Sequence, residues 1–589
     1  MLRGRYFLYM KRKQPLAFPY RQRALLHIHM STESFEIVTL AQEDGKAFLG
    51  GRLLALKLYD QYAQYDKLEE KQYESGNPVV FAPGCASDVP LYCCNSYTVV
   101  TKSPVTGHLS ISSASSSLAN AILGCGYSAL VITGRSRRLC GFSISNGTVQ
   151  FHDAEKLHSM TTTAVAKYLS VEHLVAIGPA GERFVDHASL YANGQNVTRA
   201  GVGKVFGLKN LKYFTLAPHV DGRDSYDSHR LGLLNQEFVK ELEKSDIGQV
   251  MAKEGPIALL SKANHHGWAA IDNYSMRIDG RLWGLCPRNR VQADPIKSPR
   301  CPSCEHPSAM NLESALALGS NLELYDSRSV QQLVLRCLEN GLDPISSGAV
   351  ISWARHCRKD GMLSFLPDMR TPSSVLYLRL LDAMAYQRGG GEQLGKSLGE
   401  LVSTYGGEEH AFMVDGLGLP PFDYRALPVQ ALLASLGDNS LVFSELLWGN
   451  HYHRGNERLL ASWALYTQYL YGAMESVGLC AWMSLPIFTH PILHFPRWKA
   501  KRRIFARLAN LASLSEGYEI TPVMMIDYGK KALALKGEIE EKISGRKAGY
   551  GSLPDQLLIN GKSNFRSAQV VPLVRLLDAY WSLSRVKKY

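Results

Sequence analysis

A short cysteine-containing segment carries the clearest chemical signal in this sequence. Residues 300–308 read RCPSCEHPS, so Cys301 and Cys304 form a C-x-x-C pair, a spacing at which two thiolates can bind one metal centre. Four residues after Cys304, where a third thiolate would complete an iron–sulfur loop, the chain has Ser308. Zinc is the generic alternative, but no second cysteine pair at zinc-finger spacing follows. The residues alone leave three alternatives open: a cluster with a substituted ligand, a zinc site, and a site that has been lost.

Two further segments contain residue types that could bind or react with a ligand. In RAGVGKVFG, Arg199 offers a fork of hydrogen-bond donors, and Gly201 and Gly203 allow close approach of the backbone. Taken alone, this motif is typical of a glycine-rich turn between strands. In NLESALALG, Glu313 could take up a proton, although an acid near a helix N-terminus is also favoured by the helix dipole.

The elements that must position these residues change character along the chain. The short β-branched runs of the first third, each bounded by turn residues, lie at 79–84, 96–103, 128–134, 141–151 and 173–181. Within them, the sequence SNG at 145–147 predicts a hairpin turn. After residue 212, apolar positions recur at helical spacing in segments that end in glycine. We therefore predict an α+β protein, with a β-rich domain to about residue 215 and mostly helical architecture beyond it.

Composition and charge narrow the class of protein. The chain has 589 residues, of which 46% are hydrophobic and 20% charged, so we expect several globular domains. No apolar run reaches the ~18 residues that a membrane-spanning helix needs. The formal net charge is +12, and part of this positive charge lies in the first 24 residues. The sequence has no basic stripe with interleaved aromatic residues, so we do not expect a nucleic-acid partner. Eleven cysteines scattered through a large chain predict a reducing cytoplasm rather than a disulfide framework.

Several segments, taken in chain order, resemble the tungsten-containing aldehyde ferredoxin oxidoreductase family. The segments that carry this resemblance are FLGGRLLALKLYD (48–60), NPVVFAPG (77–84), VVTKSPVTGHLSISSAS (99–115), GCGYSALVITGRS (124–136), AIGPAGERFVDHASL (176–190), RAGVGKVFGLKNLK (199–212), GLDPISSGAVISWA (341–354), DGLGLPPFDYRA (415–426) and ESVGLC (475–480). Together they extend over roughly residues 22–580. The serial order of the segments, rather than any one of them, makes the resemblance specific.

The resemblance implies an architecture and a set of cofactors. It implies an N-terminal β-rich, pterin-binding domain and two mostly α-helical domains, which we expect at 23–215, 216–415 and 416–589, after a basic extension at 1–22. The family holds a tungsten or molybdenum ion between two pterins, beside one [4Fe–4S] cluster. Its members oxidise aldehydes to carboxylic acids and pass electrons to ferredoxin. The expected partners are therefore a small aldehyde and a ferredoxin-type carrier, with a homo-oligomer or a paralogous subunit left open.

Residues matching the family's cofactor motifs can be named by position. The resemblance implies that Cys480, together with Cys301, Cys304 and Ser308, would bind the cluster. It implies that Arg199, Gly201, Gly203, Asp343, Glu475 and Leu479 contact the pterins. The family's first acidic motif, D-x-x-G-L-D, begins here with Leu338, while Gly341, Leu342 and Asp343 remain. In its second motif, D-x-x-G-L-C, Glu475 replaces the aspartate, while Gly478, Leu479 and Cys480 remain.

The resemblance also identifies candidate catalytic positions and departures from the family pattern. Glu313 matches the active-site glutamate, whereas Phe443 falls where the family has a histidine and cannot donate a hydrogen bond. His451 and His453 lie shortly after it and could substitute only if the local loop is rearranged. Ser96 stands at the place of a family arginine, and the small S-N-A-G-G stretch becomes residues 112–116, SSASS.

These departures leave two hypotheses about function. The first is a divergent tungsto- or molybdo-pterin, iron–sulfur oxidoreductase that oxidises an aldehyde. The second is a catalytically inactive paralogue that acts as a partner or regulatory subunit of a family enzyme. We favour the first, because the retained Cys301, Cys304, Cys480, Asp343, Arg199 and Glu313 come from widely separated segments.

Overall fold

A computed structural model shows how the chain folds. It describes residues 23–68, 73–89, 91–219, 227–276, 278–286, 310–438, 440–448, 456–482, 484, 498–545, 552–558 and 571–585.

The N-terminal part contains a first six-stranded sheet. Its strands are β1 (Ala24–His29), β2 (Ser34–Thr39), β3 (Val79–Pro83), β4 (Ser96–Lys102), β5 (Leu109–Ser115) and β6 (Ala129–Thr133). The spatial order is β2-β1-β6-β3-β4-β5, and only the β1–β6 pair within this sheet is parallel. The edge strand β2 is largely exposed, whereas β3 is buried along its whole length.

A second six-stranded sheet follows in the chain. Its strands are β7 (Cys140–Ser145), β8 (Thr148–Asp153), β9 (His173–Ala176), β10 (Tyr191–Ala192), β11 (Gln195–Asn196) and β12 (Leu211–Ala217), in the order β11-β10-β9-β12-β7-β8. The predicted hairpin is confirmed, because Asn146 and Gly147 connect β7 to β8 with positive φ angles of 48° and 73°.

The two sheets pack face to face through an apolar core. Leu26 and Ile28 of the first sheet contribute to the same buried cluster as Phe142 and Phe214 of the second. The Phe142 and Phe214 rings stack with centroids 5.3 Å apart. Burial of this aromatic and β-branched surface explains why the β-branched runs of the sequence fold as two packed sheets.

Helices cover the outer faces of the sheets and form the rest of the molecule. In the N-terminal part they are α1 (Gln42–Ala47), α2 (Gly51–Tyr62), α3 (Tyr73–Gly76), α4 (Ser117–Gly124), α5 (Thr162–Leu169), α6 (Pro179–Glu182) and α7 (Val202–Leu208). The next group is α8 (Ser228–Lys244), α9 (Asp246–Glu254), α10 (Leu260–His266), α11 (Leu312–Leu318), α12 (Ser327–Asn340), α13 (Pro344–Lys359), α14 (Ser374–Tyr386), α15 (Gly391–Leu394) and α16 (Leu398–Tyr405). The last group is α17 (Pro428–Ser435), α18 (Phe443–Trp448), α19 (Glu457–Val477), α20 (Trp498–Glu516), α21 (Pro522–Ser544), α22 (Asp555–Leu558) and α23 (Leu573–Arg585).

Shorter elements complete the described chain. They are the hairpin of β13 (Met413–Val414) and β14 (Leu417–Gly418) and the 3₁₀ turns Tyr65–Lys67, Glu155–Leu157, Gly255–Leu259, Gly280–Leu285, Ser320–Leu322, Glu408–His410 and Tyr424–Ala426. Among the helices that the structure describes, none is both long and apolar enough to cross a membrane.

The predicted α+β class is confirmed: two sheets lie in the first part and helices follow. The predicted end of the β-rich domain at residue 215 lies within β12, which ends at Ala217. The expected division at residues 415–416 falls in the turn of the β13–β14 hairpin. One continuous apolar cluster includes α2 of the N-terminal part and both helical groups, so the two-domain division of the helical part stays a prediction.

Candidate active site

The first motif, residues 338–343, lies at the end of α12 against the second sheet. The helix ends at Gly341, whose φ is +69°, and a Cβ there would lie 2.6 Å from the backbone nitrogen of Gly178. The backbone N–H of Ser189 donates to the carbonyl of Gly341 at 2.8 Å, and that of Asp343 donates to the carbonyl of His187 at 2.7 Å. Only glycine fits this left-handed, close-packed position, so the motif fixes where Asp343 points.

Asp343 begins the next helix and also holds an arginine. Its carboxylate caps α13 by accepting from the backbone N–H groups of Ile345 at 3.1 Å and Ser346 at 3.0 Å. The same carboxylate accepts from Nε of Arg199 at 3.0 Å. A second nitrogen of Arg199, Nη2, donates to the carbonyl of Gly418 at 2.9 Å. Asp343 and Arg199, predicted as separate contacts, therefore form one buried ion pair.

The second motif, residues 475–480, repeats this docking at the end of α19 against the first sheet. The helix ends at Gly478 with a φ of +105°, and a Cβ added to Gly84 would lie 2.1 Å from the Gly478 nitrogen. The N–H of Ser96 donates to the carbonyl of Gly478 at 2.9 Å, and that of Cys480 donates to the carbonyl of Cys93 at 2.7 Å. The two motifs thus bind the two sheets in the same way.

Glu475 holds the second arginine of the site. Nε and Nη2 of Arg52, in the first turn of α2, donate to the two carboxylate oxygens of Glu475 at 2.5 and 3.0 Å. Both side chains are mostly buried. A bidentate pair of this kind fixes the plane of the guanidinium group.

A cavity of about 380 Å³ lies between the two motifs. Its walls include Ser96, Asn196, Arg199, Asp343, Glu475 and Leu479. A neighbouring cavity of about 470 Å³ shares Arg52, Ser112 and Arg199 with the first, so these residues stand between the two spaces. Four of the six predicted cofactor-motif positions, Arg199, Asp343, Glu475 and Leu479, therefore lie at one cavity.

Glu313 projects into the first cavity from the first turn of α11. Burial raises the pKa of its carboxyl to about 7, with Arg199 opposing and Asp343 reinforcing that shift. Within the described part of the chain, Glu313 makes no hydrogen bond and no ion pair. An uncommitted carboxyl with a pKa near neutrality suits proton transfer.

Tyr424 lines the same cavity close to Glu313. Its side chain is buried, and burial together with the charge of Glu313 raises the pKa of the phenol. The hydroxyl therefore remains protonated at neutral pH and can donate a hydrogen bond. Phe443, at the position where the resemblance predicts a histidine, is buried and packs edge-on against Trp482 with centroids 5.2 Å apart.

The two glycines after Arg199 have protein neighbours. A Cβ on Gly203 would lie 2.7 Å from the backbone of Ala188, and one on Gly201 would lie 3.0 Å from Pro104. Neither glycine lines either cavity. The expected close approach is thus made to the protein itself, and its effect is to place the loop that carries Arg199.

The donors and acceptors of the cavity fit a large polar cofactor of the pterin type. Nη1 of Arg52 and of Arg199 makes no hydrogen bond to any described residue, so each can bind a phosphate. The Oδ1 atom of Asn196 is buried without a partner among the described residues, while its Nδ2 donates to the carbonyl of Leu342 at 3.1 Å. Such an orphaned acceptor matches the N–H groups of a pterin ring. Ser96 and Ser112 add hydroxyl groups.

The expected cluster ligands are only partly covered. Cys480 lines the cavity, is half-buried and is not in a disulfide. Cys301, Cys304 and Ser308 lie outside the described residues, as do His451 and His453.

Sequence reasoning missed Arg52, Asn196 and Tyr424. Arg52 and Tyr424 belong to the quoted segments FLGGRLL and PPFDYRA, where the residue types were a usable signal. Asn196 lies in a two-residue strand and has no sequence signal of its own.

Comparison with known proteins gives the family context. Residues 25–217 match the family model described as "Aldehyde ferredoxin oxidoreductase, N-terminal domain", and residues 234–585 match "Aldehyde ferredoxin oxidoreductase, domains 2 & 3".

Curated relatives are similar over about two thirds of the chain. Proteins named "Tungsten-containing aldehyde ferredoxin oxidoreductase" from Thermococcus kodakarensis and Pyrococcus furiosus are 26% and 27% identical to it, over 68% of this chain and 70% of theirs. A P. furiosus protein named "Aliphatic sulfonate oxidoreductase, WOR-like subunit" is 24% identical over 58% of this chain and 60% of its own. Among solved structures, the "Active site complex BamBC of Benzoyl Coenzyme A reductase in complex with 1,5 Dienoyl-CoA" superposes with a TM-score of 0.75 over 96% of this chain and 95% of that one, at 17% identity.

Proposed function

Because this chain belongs to the aldehyde ferredoxin oxidoreductase family, we propose that it is a bis-pterin tungsten or molybdenum oxidoreductase that converts an aldehyde to a carboxylic acid. The net reaction adds the oxygen of water to the carbonyl carbon and releases two electrons and two protons. The observation that carries the proposal is the free, partly buried carboxyl of Glu313, with a pKa near 7, in a cavity enclosed by both cofactor motifs.

The residues around the cavity divide the binding of the cofactor between them. The Nη1 groups of Arg52 and Arg199 would bind its phosphates, as charge-assisted donors. Glu475 and the Oδ1 atom of Asn196 would accept from pterin N–H groups. When bound, the cofactor supplies the redox-active metal that accepts the two electrons. Gly201 and Gly203 contribute indirectly, by permitting the loop that places Arg199.

Glu313 and Tyr424 are the residues proposed to act on the substrate. The Glu313 carboxylate takes up a proton that is lost as the aldehyde is hydrated and oxidised, and its pKa near 7 keeps the basic form populated in neutral solution. The Tyr424 hydroxyl donates to the carbonyl oxygen and thereby polarises it. Tyr424 thus supplies the hydrogen-bond donor that Phe443 lacks.

Electron transfer out of the site is part of the same proposal. Cys480 lies at the cavity wall and, with Cys301, Cys304 and Ser308, would bind a [4Fe–4S] cluster. A ferredoxin-type protein would then accept the electrons, as the names of the relatives suggest. The described cysteines form no disulfide with one another, which supports placement in the reducing cytoplasm.

An inactive partner subunit is the less favoured hypothesis. A purely structural paralogue would gain nothing from a desolvated, unpaired carboxyl, which lowers stability. One relative is named as a subunit, so association with a further chain is compatible with the catalytic proposal.

The proposal is tested by activity with a dye acceptor. Protein purified without oxygen from cells supplied with tungstate and molybdate should reduce a viologen dye in the presence of aldehydes. Glu313→Gln and Tyr424→Phe should lower kcat while the metal content is retained. Tyr469→Phe, a change to a tyrosine of the second cavity, is the matched control and should retain kcat. Loss of activity in the control alone, or no effect of Glu313→Gln, would refute the assigned roles.

A further inference from the structure

Two histidines and a glutamate form a compact group on the first sheet, on residues that line neither cavity. His27 and His29 are two residues apart on β1, so both point to the same face of the sheet. Glu36 of β2 pairs directly with His27 in the antiparallel register. The three side chains therefore converge because of strand geometry alone.

The distances within this group are those of a preformed ligand set. His27 Nδ1 is 2.7 Å and His29 Nε2 is 3.6 Å from the same oxygen, Oε1 of Glu36. All three ligand atoms lie within 4.8 Å of one another, and the two imidazole centroids are 3.8 Å apart. Atoms that share one metal ion at about 2.0–2.2 Å are separated by comparable distances.

Surrounding residues hold His27 in a fixed orientation. Its Nε2 lies 2.8 Å from the hydroxyl of Thr133 on the neighbouring strand β6, which directs Nδ1 towards Glu36. The ring of Tyr62, at the end of α2, contacts the His27 ring edge-on at 4.4 Å. A hydrogen bond to the non-ligating nitrogen is what metal-binding histidines usually have.

The group is buried on one side and open on the other. His27 is buried, whereas the side chains of His29 and Glu36 are 38% and 53% exposed, so an ion and its water ligands can reach them. Among the described residues, Glu36 forms ion pairs only with these two histidines. No lysine or arginine of the described chain neutralises the carboxylate.

We propose that His27 Nδ1, His29 Nε2 and Glu36 Oε1 bind a divalent transition-metal ion of the zinc class, with water completing the coordination. Two imidazole nitrogens with one carboxylate oxygen suit zinc and related ions, whereas magnesium and calcium prefer oxygen ligands alone. The bound ion would replace the hydrogen bond between His27 and Glu36. It would also join the exposed edge strand β2 to β1.

Zinc binding to the full-length protein tests this site. The full-length protein should be dialysed to equilibrium against zinc ions. The number of zinc ions per chain should then be measured by elemental mass spectrometry. His29→Ala and Glu36→Gln should each bind about one zinc ion fewer than the parent protein, and zinc should raise the melting temperature of the parent but not of these two variants. His158→Ala is the matched control, because His158 is exposed and lies 3.7 Å from a single carboxylate, that of Glu182; it should behave like the parent.

The C-x-x-C pair is a competing zinc ligand, so the comparison is repeated in a Cys301→Ser, Cys304→Ser background. If zinc is still lost with His29→Ala in that background, the site on β1 and β2 is supported. If zinc disappears with the cysteines and His29→Ala changes nothing, the proposal is refuted. Neither result depends on tungsten, molybdenum or aldehyde oxidation, so this experiment does not test the catalytic proposal.

Discussion

The motifs at residues 338–343 and 475–480 are docked in the same way but place their acids at opposite ends. At residues 338–343 the leading position is Leu338, an apolar residue buried against α5 and β9, and the acid is the last residue, Asp343. At residues 475–480 the acid comes first, as Glu475, and the last residue is Cys480. Each motif therefore keeps one acid paired with one arginine, although the acid stands at opposite ends of the motif. What is common to both motifs is the docking geometry and an acid–arginine pair at the cavity.

The difference in position has an energetic consequence. Asp343 both binds Arg199 and caps α13. Glu475 lies within the last turns of α19 and, among the described residues, binds only Arg52. The only uncommitted acid that we identify at the cavity, Glu313, stands beside the first pair. The first half of the site is thus expected to dominate the chemistry.

Glu313→Gln, which removes the uncommitted acid beside the first acid–arginine pair, should have the largest effect on activity. Removal of the proton acceptor should lower kcat by about 10²–10⁴-fold, the usual contribution of general acid–base catalysis. In the parent protein, kcat/KM should rise with pH through an apparent pKa of about 7 as the carboxyl ionises, and this limb should be absent in the variant. Steady-state kinetics between pH 5 and 9 with a dye acceptor, on enzyme of equal metal content, measures both quantities. A retained limb at the same pH would assign the proton acceptor to another group.

The next effect compares the two acid–arginine pairs. Asp343→Ala and Glu475→Ala each leave a largely buried guanidinium unpaired, which costs about 3–5 kcal/mol. Asp343→Ala also removes the N-terminal cap of α13. Its free energy of unfolding should therefore be about 1 kcal/mol lower than that of Glu475→Ala. Urea unfolding of both variants checks this order. Asp343→Asn, which retains a capping oxygen, is the control and should recover that difference; equal stability of the two alanine variants would contradict it.

A smaller effect distinguishes how the two motifs dock. A Cβ on Gly478 would lie 2.2 Å from Oγ of Ser87, whereas a Cβ on Gly341 would meet backbone of Gly178. Both alanine variants should be destabilised by about 1–3 kcal/mol because of the positive φ angles. Ser87→Ala should reduce the loss of stability caused by Gly478→Ala, with a coupling energy of about 0.5–1 kcal/mol. It should not reduce the loss of stability caused by Gly341→Ala. A double-mutant cycle for each glycine, by chemical denaturation, gives the two values; equal coupling in both cycles would be inconsistent with the structure.

A further effect concerns the pH dependence of stability. The pKa of Glu313 is raised from 4.5 to about 7 in the folded chain, so the folded state binds more protons than the unfolded state between these values. The free energy of unfolding should therefore fall as pH rises from about 4.5 to 7, by about 1–3 kcal/mol after allowance for partial exposure. Glu313→Gln should lack this component, and the difference between the two pH profiles isolates it. Parallel profiles would show that the carboxyl is not desolvated.

The fold was predictable because its signals are local. Turn residues such as Asn146 and Gly147 specify a hairpin without reference to the rest of the chain. The expected end of the β-rich domain, at about residue 215, falls within β12, whose residues are buried as far as Leu216.

The site was predictable only in part, because its contacts are not local. Arg52 and Glu475 are 423 residues apart in sequence, so a single chain gives no indication that they pair. The resemblance pointed to Asp343 and Arg199 but not to their direct ion pair. For Gly201 and Gly203 it predicted close approach to a pterin. In the structure a Cβ on Gly201 would meet the side chain of Pro104, and one on Gly203 would meet the backbone of Ala188; spacing alone cannot distinguish such protein neighbours from a ligand.

The measurement that tests the central claim most directly is the metal content of the protein, purified without oxygen from cells supplied with tungstate and molybdate. If the cavity between the two motifs binds the pterin cofactor, tungsten or molybdenum should approach one ion per chain, and Arg52→Ala combined with Arg199→Ala should lower it sharply. Absence of both metals from folded parent protein would contradict the account.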